Sequence, residues 1–179
     1  PAGGINSNAK DLANWLLMWT NEGRFNGKEI ISTSFYKQAI SSQTVASSNL
    51  PLYNQQDIYF LNYGLGWFIT SYRGHYGVGH GGAIDGFSTY TTFLPADSIG
   101  IFVSANQDHS PVPKIIHNLI ADRLLGESFR NWNSIQKEVF EKEKGMATEG
   151  MKAEDSQVKK GSKPTHPLSE YTGTYKNDG

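Results

Sequence analysis

The stretch Val78–Pro95, VGHGGAIDGFSTYTTFLP, constrains the fold more tightly than any other part of the chain. Its first nine residues hold four glycines and one histidine, and β-branched and aromatic residues follow without a break. The alternation after Gly86 prescribes a strand with one packed face. Glycine weakens a strand, so a cluster at the start of one needs a physical reason. Two are open: the backbone takes torsions that other residues avoid, or something approaches it closely. The plainest version has the glycines serving a bulge and His80 capping a strand.

The flanking segments supply partners for this strand. Tyr63–Tyr72, YGLGWFITSY, reads as one strand, Val78–Gly82 as a short one, and Gly86–Leu94 as a third. Ser98–Asn106 is a fourth, joined tightly to the third through PADS. A helix follows, with Ser110 as cap, Pro111 at its tolerated first position and Gly126 as its stop. Ile115, Ile116, Leu119, Ile120 and Leu124 form its expected buried face. Earlier, Ser7 is a candidate cap for a helix over Asn8–Asn21 with a stripe of Leu12, Trp15, Leu16 and Trp19, ended by Gly23. The tryptophans read as core rather than as a stacking platform. A shorter helix is expected near Thr33–Ser41, followed by a polar loop at SSNLPLYNQQD. Antiparallel strands followed by a covering helix define an α+β fold, an antiparallel sheet covered by helices.

Composition then sets the limits. The chain has 179 residues, with 37% hydrophobic and 12% aromatic content, enough for one domain and an appendage. Residues 1–128 carry the domain. Residues 129–164 are rich in charge and read as a partly helical linker, expected to be mobile over about Asn131–Thr165. Residues 165–179 read as the first strand of another domain, with Tyr171, Gly173 and Tyr175 alternating and Asp178-Gly179 as a turn. No returning strand follows, so the chain reads as part of a longer protein. A net charge of -1 offers no basic field for nucleic acid or anionic lipid. No apolar run is long enough for a membrane span. Cysteine is absent, which removes thiolate chemistry and zinc–cysteine sites. The five histidines include no pair at metal-ligand helical spacing, so neither metal nor cofactor is expected.

Gly79-His80-Gly81-Gly82-Ala83, followed by Gly86-Phe87, resembles the third motif of the serine β-lactamase and penicillin-binding protein superfamily. There a Lys-Thr-Gly or His-x-Gly triplet lies on the strand lining the active site. YGLGWFI, GHGGAIDGFSTYTTFLP and IGIFVSANQD, in that order and with a helix after the last, resemble the C-terminal half of class C β-lactamases and their esterase and D-aminopeptidase relatives. PAGGINSNAKDLANWL is similar to the segment behind the second motif, and HPLSEYTGTYKNDG resembles the opening of a small β-barrel domain fused behind such enzymes. The resemblance implies a β-lactamase/transpeptidase-like fold lacking its N-terminal half, and a periplasmic or secreted setting. It also implies an acyl-enzyme mechanism on a β-lactam, a D-amino-acid peptide or a small ester. Ala83 would donate one backbone N–H to the oxyanion, and His80 would stand near the catalytic tyrosine and the substrate carboxylate. Gly81 and Gly82 would let substrate lie against the strand, and Asp85, otherwise a turn residue, would face a cationic group. A small molecule or peptide is the implied partner. The strand at Ser98–Asn106 would lack its neighbour and leave an edge open to self-association.

The family's nucleophile sits in Ser-x-x-Lys. That pattern occurs at Ser7/Lys10, Ser34/Lys37, Ser134/Lys137 and Ser156/Lys159, where roughly one would be expected by chance, and so short a pattern identifies nothing by itself. Ser7 is the least implausible, because a helix N-terminus would favour an oxyanion there. Ser47-Ser48-Asn49 imitates the second motif inside a polar loop, and no Tyr-x-Asn lies ahead of the glycine-rich strand. The order of the motifs places nucleophile, lysine and tyrosine before residue 1, leaving this chain inactive alone. The alternative is a non-catalytic module that binds peptidoglycan-type ligands or protein partners.

Overall fold

The computed structural model describes residues 3–47, 59–142, 145, 163–174 and 176. The chain forms two compact units, Pro1–Lys137 and Glu138–Gly179.

The first unit is built on a six-stranded antiparallel meander, β3-β4-β5-β6-β7-β8 in sheet order. Its strands are β3 Thr44–Ser47, β4 Leu61–Tyr63, β5 Phe68–Tyr72, β6 His75–Ile84, β7 Phe87–Leu94 and β8 Ile99–Ala105. A small hairpin, β1 Arg24–Phe25 with β2 Lys28–Glu29, precedes it. Helix α1, Ala9–Thr20, lies on one face of the sheet, and α3, Val112–Leu125, on the other. The α1 face holds the aromatic core: Trp19 and Trp67 are buried and both contact Phe93, at 5.6 and 5.2 Å between ring centroids. Val78 and Phe93, fully buried opposite each other on β6 and β7, form its floor. The tryptophans are core, as their spacing prescribes.

Four details differ from the sequence reading. Asn8 rather than Ser7 caps α1, because its Oδ1 reaches the amides of both Lys10 and Asp11 at 3.0 Å. Tyr63–Tyr72 is not one strand but two, β4 and β5. The chain reverses through Gly64–Trp67, where Gly66 takes φ +80° and the Gly64 N–H donates to the Trp67 carbonyl at 2.8 Å. The glycine strand is longer than expected at both ends and runs over His75–Ile84. Helix α3 turns its other side to the sheet: Pro113, His117, Asn118, Ala121 and Asp122 are buried, while Ile116, Leu119, Ile120 and Leu124 are exposed. The sheet face beneath α3 presents Thr92 and the Tyr72 hydroxyl, so polar side chains satisfy it better than isoleucines would.

Helix α2, Thr33–Ala39, follows the sequence reading and is capped by Ser32. A further helix, α4, covers 132–142 and starts beside Asp122, whose carboxylate accepts from the Trp132 indole N–H at 2.6 Å. The expected linker therefore opens on an anchored residue. Most of the mobile segment expected after it, and most of the polar loop at SSNLPLYNQQD, lie outside the described residues. In the second unit the expected strand over 171–175 begins instead as a 3-10 turn, Leu168–Tyr171, held by the Glu170 N–H on the Pro167 carbonyl. The Asp178-Gly179 turn lies outside the described residues.

Candidate active site: the open edge of β6

Two tight turns fix the direction of every backbone group on β6. Arg73-Gly74 joins β5 to β6 and Asp85-Gly86 joins β6 to β7, and all four residues have positive φ, between 50° and 91°. These are two-residue turns of the type that matches strand twist, and Asp-Gly is a preferred sequence for one. The pairs that close them, Tyr72↔His75 and Ile84↔Phe87, are hydrogen-bonded pairs. Alternation then assigns the rest. His75, Gly77, Gly79, Gly81 and Ala83 direct their N–H and C=O toward the β5 side, and Val78, His80, Gly82 and Ile84 direct theirs toward β7.

The β5 side, however, ends early. Pairing between β5 and β6 stops at Phe68↔Gly79, because the chain turns away through Trp67. Pairing with β7 continues to Ile84. Gly81 and Ala83 therefore aim their backbone groups past the end of β5, where no strand among the described residues meets them. Residues 80–87 are all exposed. A rigid strand with one side paired and the other open is a template for an extended ligand.

The glycines divide by cause. A Cβ on Gly79 would lie 2.5 Å from Thr92 Cγ2, so close packing demands glycine there. Gly86 serves the turn. At Gly82 a Cβ would come 3.2 Å from Thr89 Oγ1, which is tight but not prohibitive. At Gly81 it would meet nothing nearer than 3.5 Å. None of the four torsions on β6 itself is positive, so strain does not explain the cluster. Gly81 leaves the flank of the open edge bare.

His80 is exposed, and its ring lies over this edge rather than out in solvent. Its Nδ1 is 2.5 Å from the carbonyl oxygen of Gly81. Its ring centroid is 5.3 Å from that of Phe68 and 6.1 Å from that of Tyr63, the last residue of β4. Sequence reasoning missed Phe68 and Tyr63, because taking 63–72 as one strand hid the turn that brings both to the edge. Asp85 sits at the first central position of the turn, a role that accounts for its presence. On the α3 side an apolar hollow of about 280 Å³ is lined by Phe68, Gly79, Tyr90 and His117, with His80 and Gly81 also in its wall.

His117 behaves differently. It is 4% exposed, its Nδ1 is 2.9 Å from Asn118 Oδ1, and its Nε2 meets the Thr92 hydroxyl. Burial pulls its pKa down to about 4 despite the hydrogen bond to Asn118. Beside it, burial and the hydrogen bond to Asp122 raise the Tyr72 hydroxyl well above its usual range. Asp122 also takes Arg73, at 3.1 Å, with both side chains almost fully buried. This network holds α3 and the start of α4 to the base of the sheet.

The Ser-x-x-Lys patterns do not gather at the edge. Ser7 and Lys10 are exposed, and the first N–H groups of α1 already serve Asn8, which removes the helix-terminus argument for Ser7. Ser34 and Lys37 are exposed on α2, and Ser134 on α4. Ser48, Asn49 and Ser156 lie outside the described residues.

An α+β sheet, flanked by a helix on each face and carrying one open glycine-rich strand end, defines the class of fold. The comparisons agree. The family described as Beta-lactamase matches residues 1–125, and the chain belongs to that family. A solved structure, the octameric penicillin-binding protein homologue from Pyrococcus abyssi, aligns with a TM-score of 0.57 at 24% identity. The alignment covers 70% of this chain and 27% of that one, so the chain spans about a quarter of its neighbour's length. Comparison with curated proteins returned no match.

Proposed function

We propose that the chain is the C-terminal part of a serine hydrolase that forms an acyl-enzyme with a β-lactam, a D-amino-acid peptide or a small ester. One observation carries the reading: the N–H of Ala83 points from a strand paired on its other side into an edge that no strand among the described residues meets. Acyl transfer builds negative charge on the former carbonyl oxygen, and a preorganised backbone donor aimed at that oxygen lowers the barrier. Ala83 supplies one donor, and the amide of the nucleophile supplies the second. Bare glycine at 81 lets an ester or amide lie flat against the backbone, and His80 stands beside it. Serine, lysine and tyrosine come from sequence ahead of Pro1, in the family's motif order, and the parent protein works in the periplasm or outside the cell.

The test is intact-mass analysis of the protein produced with the sequence that precedes Pro1 in its gene, after exposure to a penicillin and to an activated ester. The expected result is one acyl adduct on a serine of a Ser-x-x-Lys ahead of Pro1, with no adduct on residues 1–179 produced alone. An adduct on Ser7 would relocate the nucleophile. Absence of any adduct, together with saturable binding of a peptidoglycan fragment, would leave a non-catalytic binding module.

A further inference from the structure

Resting on that reading, we infer that the hollow beside Gly81 receives an apolar arm of the substrate, the chain that runs from the carbonyl at Ala83 back toward the end of β5. Side chains alternate along a strand, so Gly77, Gly79 and Gly81 share the α3 face of β6 with Tyr90 and Thr92 of β7. Every residue that β6 turns to this face between His75 and Ala83 is glycine. Close packing explains only one of the three. A Cβ on Gly77 or Gly81 would meet nothing nearer than 3.5 Å, against 2.5 Å at Gly79. The bare positions border the hollow of about 280 Å³, whose walls include Leu61, Phe68, Tyr90 and Leu94. His117, also in the wall, engages Asn118 with one ring nitrogen and Thr92 with the other, so it offers a ligand neither donor nor acceptor.

The hollow and the open edge meet at Gly81, which belongs to both. A side chain at 81 would stand on the α3 face between them. Without one, a chain lying along the edge can cross the backbone onto that face. This continuity assigns the hollow to the substrate rather than to a separate ligand. Gly81 lies two residues from Ala83, about 7 Å along the strand. An extended hydrocarbon advances about 1.3 Å per bond, so an arm of about five carbons reaches the hollow. Each further methylene leaves water there and adds to binding.

The experiment uses the complete protein and two readouts. The first is kcat/KM for two series of esters, one lengthened on the acyl side and one on the alcohol side. One series should stay flat up to about five carbons and then rise about twofold to threefold per methylene, as partial burial of each CH₂ predicts. The other series should stay flat throughout. Gly77→Leu, which fills the hollow away from the edge, should remove the rise and leave short esters unaffected. Two flat series, or a rise that survives in a folded Gly77→Leu protein, would overturn the inference and leave the hydrolase reading intact. The second readout needs no turnover: NMR of the Tyr90 and His117 rings during titration with decan-2-one, an uncleavable carbonyl compound with a long arm. Saturable shifts are expected, and none with acetone. Their absence in the complete protein would overturn the inference, whether or not esters are cleaved. If residues 1–179 alone show shifts that the complete protein lacks, sequence ahead of Pro1 fills the hollow, which overturns it equally. Cleavage of no ester would remove the hydrolase reading, and the ketone titration would then decide the inference alone.

Discussion

The two halves of β6 are made of similar residues and sit in opposite surroundings. Over His75–Gly79 the strand pairs with β5, with β7 joining on the other side from Val78, and Gly77, Val78 and Gly79 are buried. Over His80–Ile84 it has β7 alone among the described residues and is exposed. Gly79 is glycine because Thr92 leaves no room, and Gly81 has room it does not use. The nearby histidines repeat the contrast. His117 commits both ring nitrogens to buried partners, while His80 commits one and leaves the other at an open edge. Residue type alone therefore does not separate scaffold from site. Unspent hydrogen-bonding capacity at a rigid, accessible position does.

The largest expected effect lies at the closed end. Asp122→Ala strips Arg73, Tyr72 and Trp132 of their shared carboxylate. Arg73 keeps Glu127 at 2.8 Å, but hydrogen bonds to a charged group contribute about 1.5–3 kcal/mol each, so losing the three together should cost about 3–5 kcal/mol. Urea unfolding should show that loss, and a change below about 1 kcal/mol would mean that this end is not what anchors the sheet.

Next comes the pH dependence of His117. Its pKa is about 4 in the folded protein and near 6.5 unfolded, so between those values only the unfolded chain takes up the proton. Its stabilising contribution is complete above about pH 6.5 and fades as pH falls to 4, by about 3 kcal/mol in all. His117→Gln should flatten that slope, although it lowers stability at pH 7. An unchanged slope would show that His117 is not buried neutral.

A sharper pairing sets Gly79→Ala against Gly81→Ala. The first pushes a methyl into Thr92 and should cost about 1–3 kcal/mol, whereas the second should stay within about 0.5 kcal/mol. Acylation in the complete protein should reverse the order of interest, with folded Gly81→Ala slowed because its methyl stands on the substrate's path. Equal stability losses for the two variants would erase the distinction between the halves.

The smallest effect concerns the other exposed edge. β8 closes the sheet with one side unpaired among the described residues, and α1 rests on it at Gly100. Such an edge invites pairing with a second chain. Sedimentation should show weak, concentration-dependent self-association of residues 1–179, and a clean monomer at high concentration would mean the edge is shielded.

Much of this was legible in sequence. Asp85-Gly86 marked the turn, PADS the next connection and Gly126 the end of α3, because each depends on local torsions. The glycine-rich stretch over Gly79–Gly86 stood out because its glycines break strand propensity. What the sequence concealed depends on distant partners. Leu65 and Trp67 continue an apolar pattern across the turn between β4 and β5, so the early end of β5, and with it the open edge, was invisible. Periodicity located a stripe on α3 but not its direction, since the polar partners Tyr72 and Thr92 lie 50 and 25 residues from Asp122 and His117. Ser7 looked like a cap, but Asn8 has the reach to satisfy two amides.

The central claim is that the Ala83 N–H faces an open edge and serves the reaction there. Because that N–H makes no ladder bond with β7, Ala83→Pro should fold, whereas Gly82→Pro removes a bond to β7 and should destabilise the hairpin. Circular dichroism establishes the first point. Single-turnover acylation of the complete protein by an activated ester then measures the donor itself. A folded Ala83→Pro protein should acylate about 10² to 10³ times more slowly than wild type, with Ala83→Ser nearly unaffected. A folded Ala83→Pro protein acylating at the wild-type rate would contradict the claim.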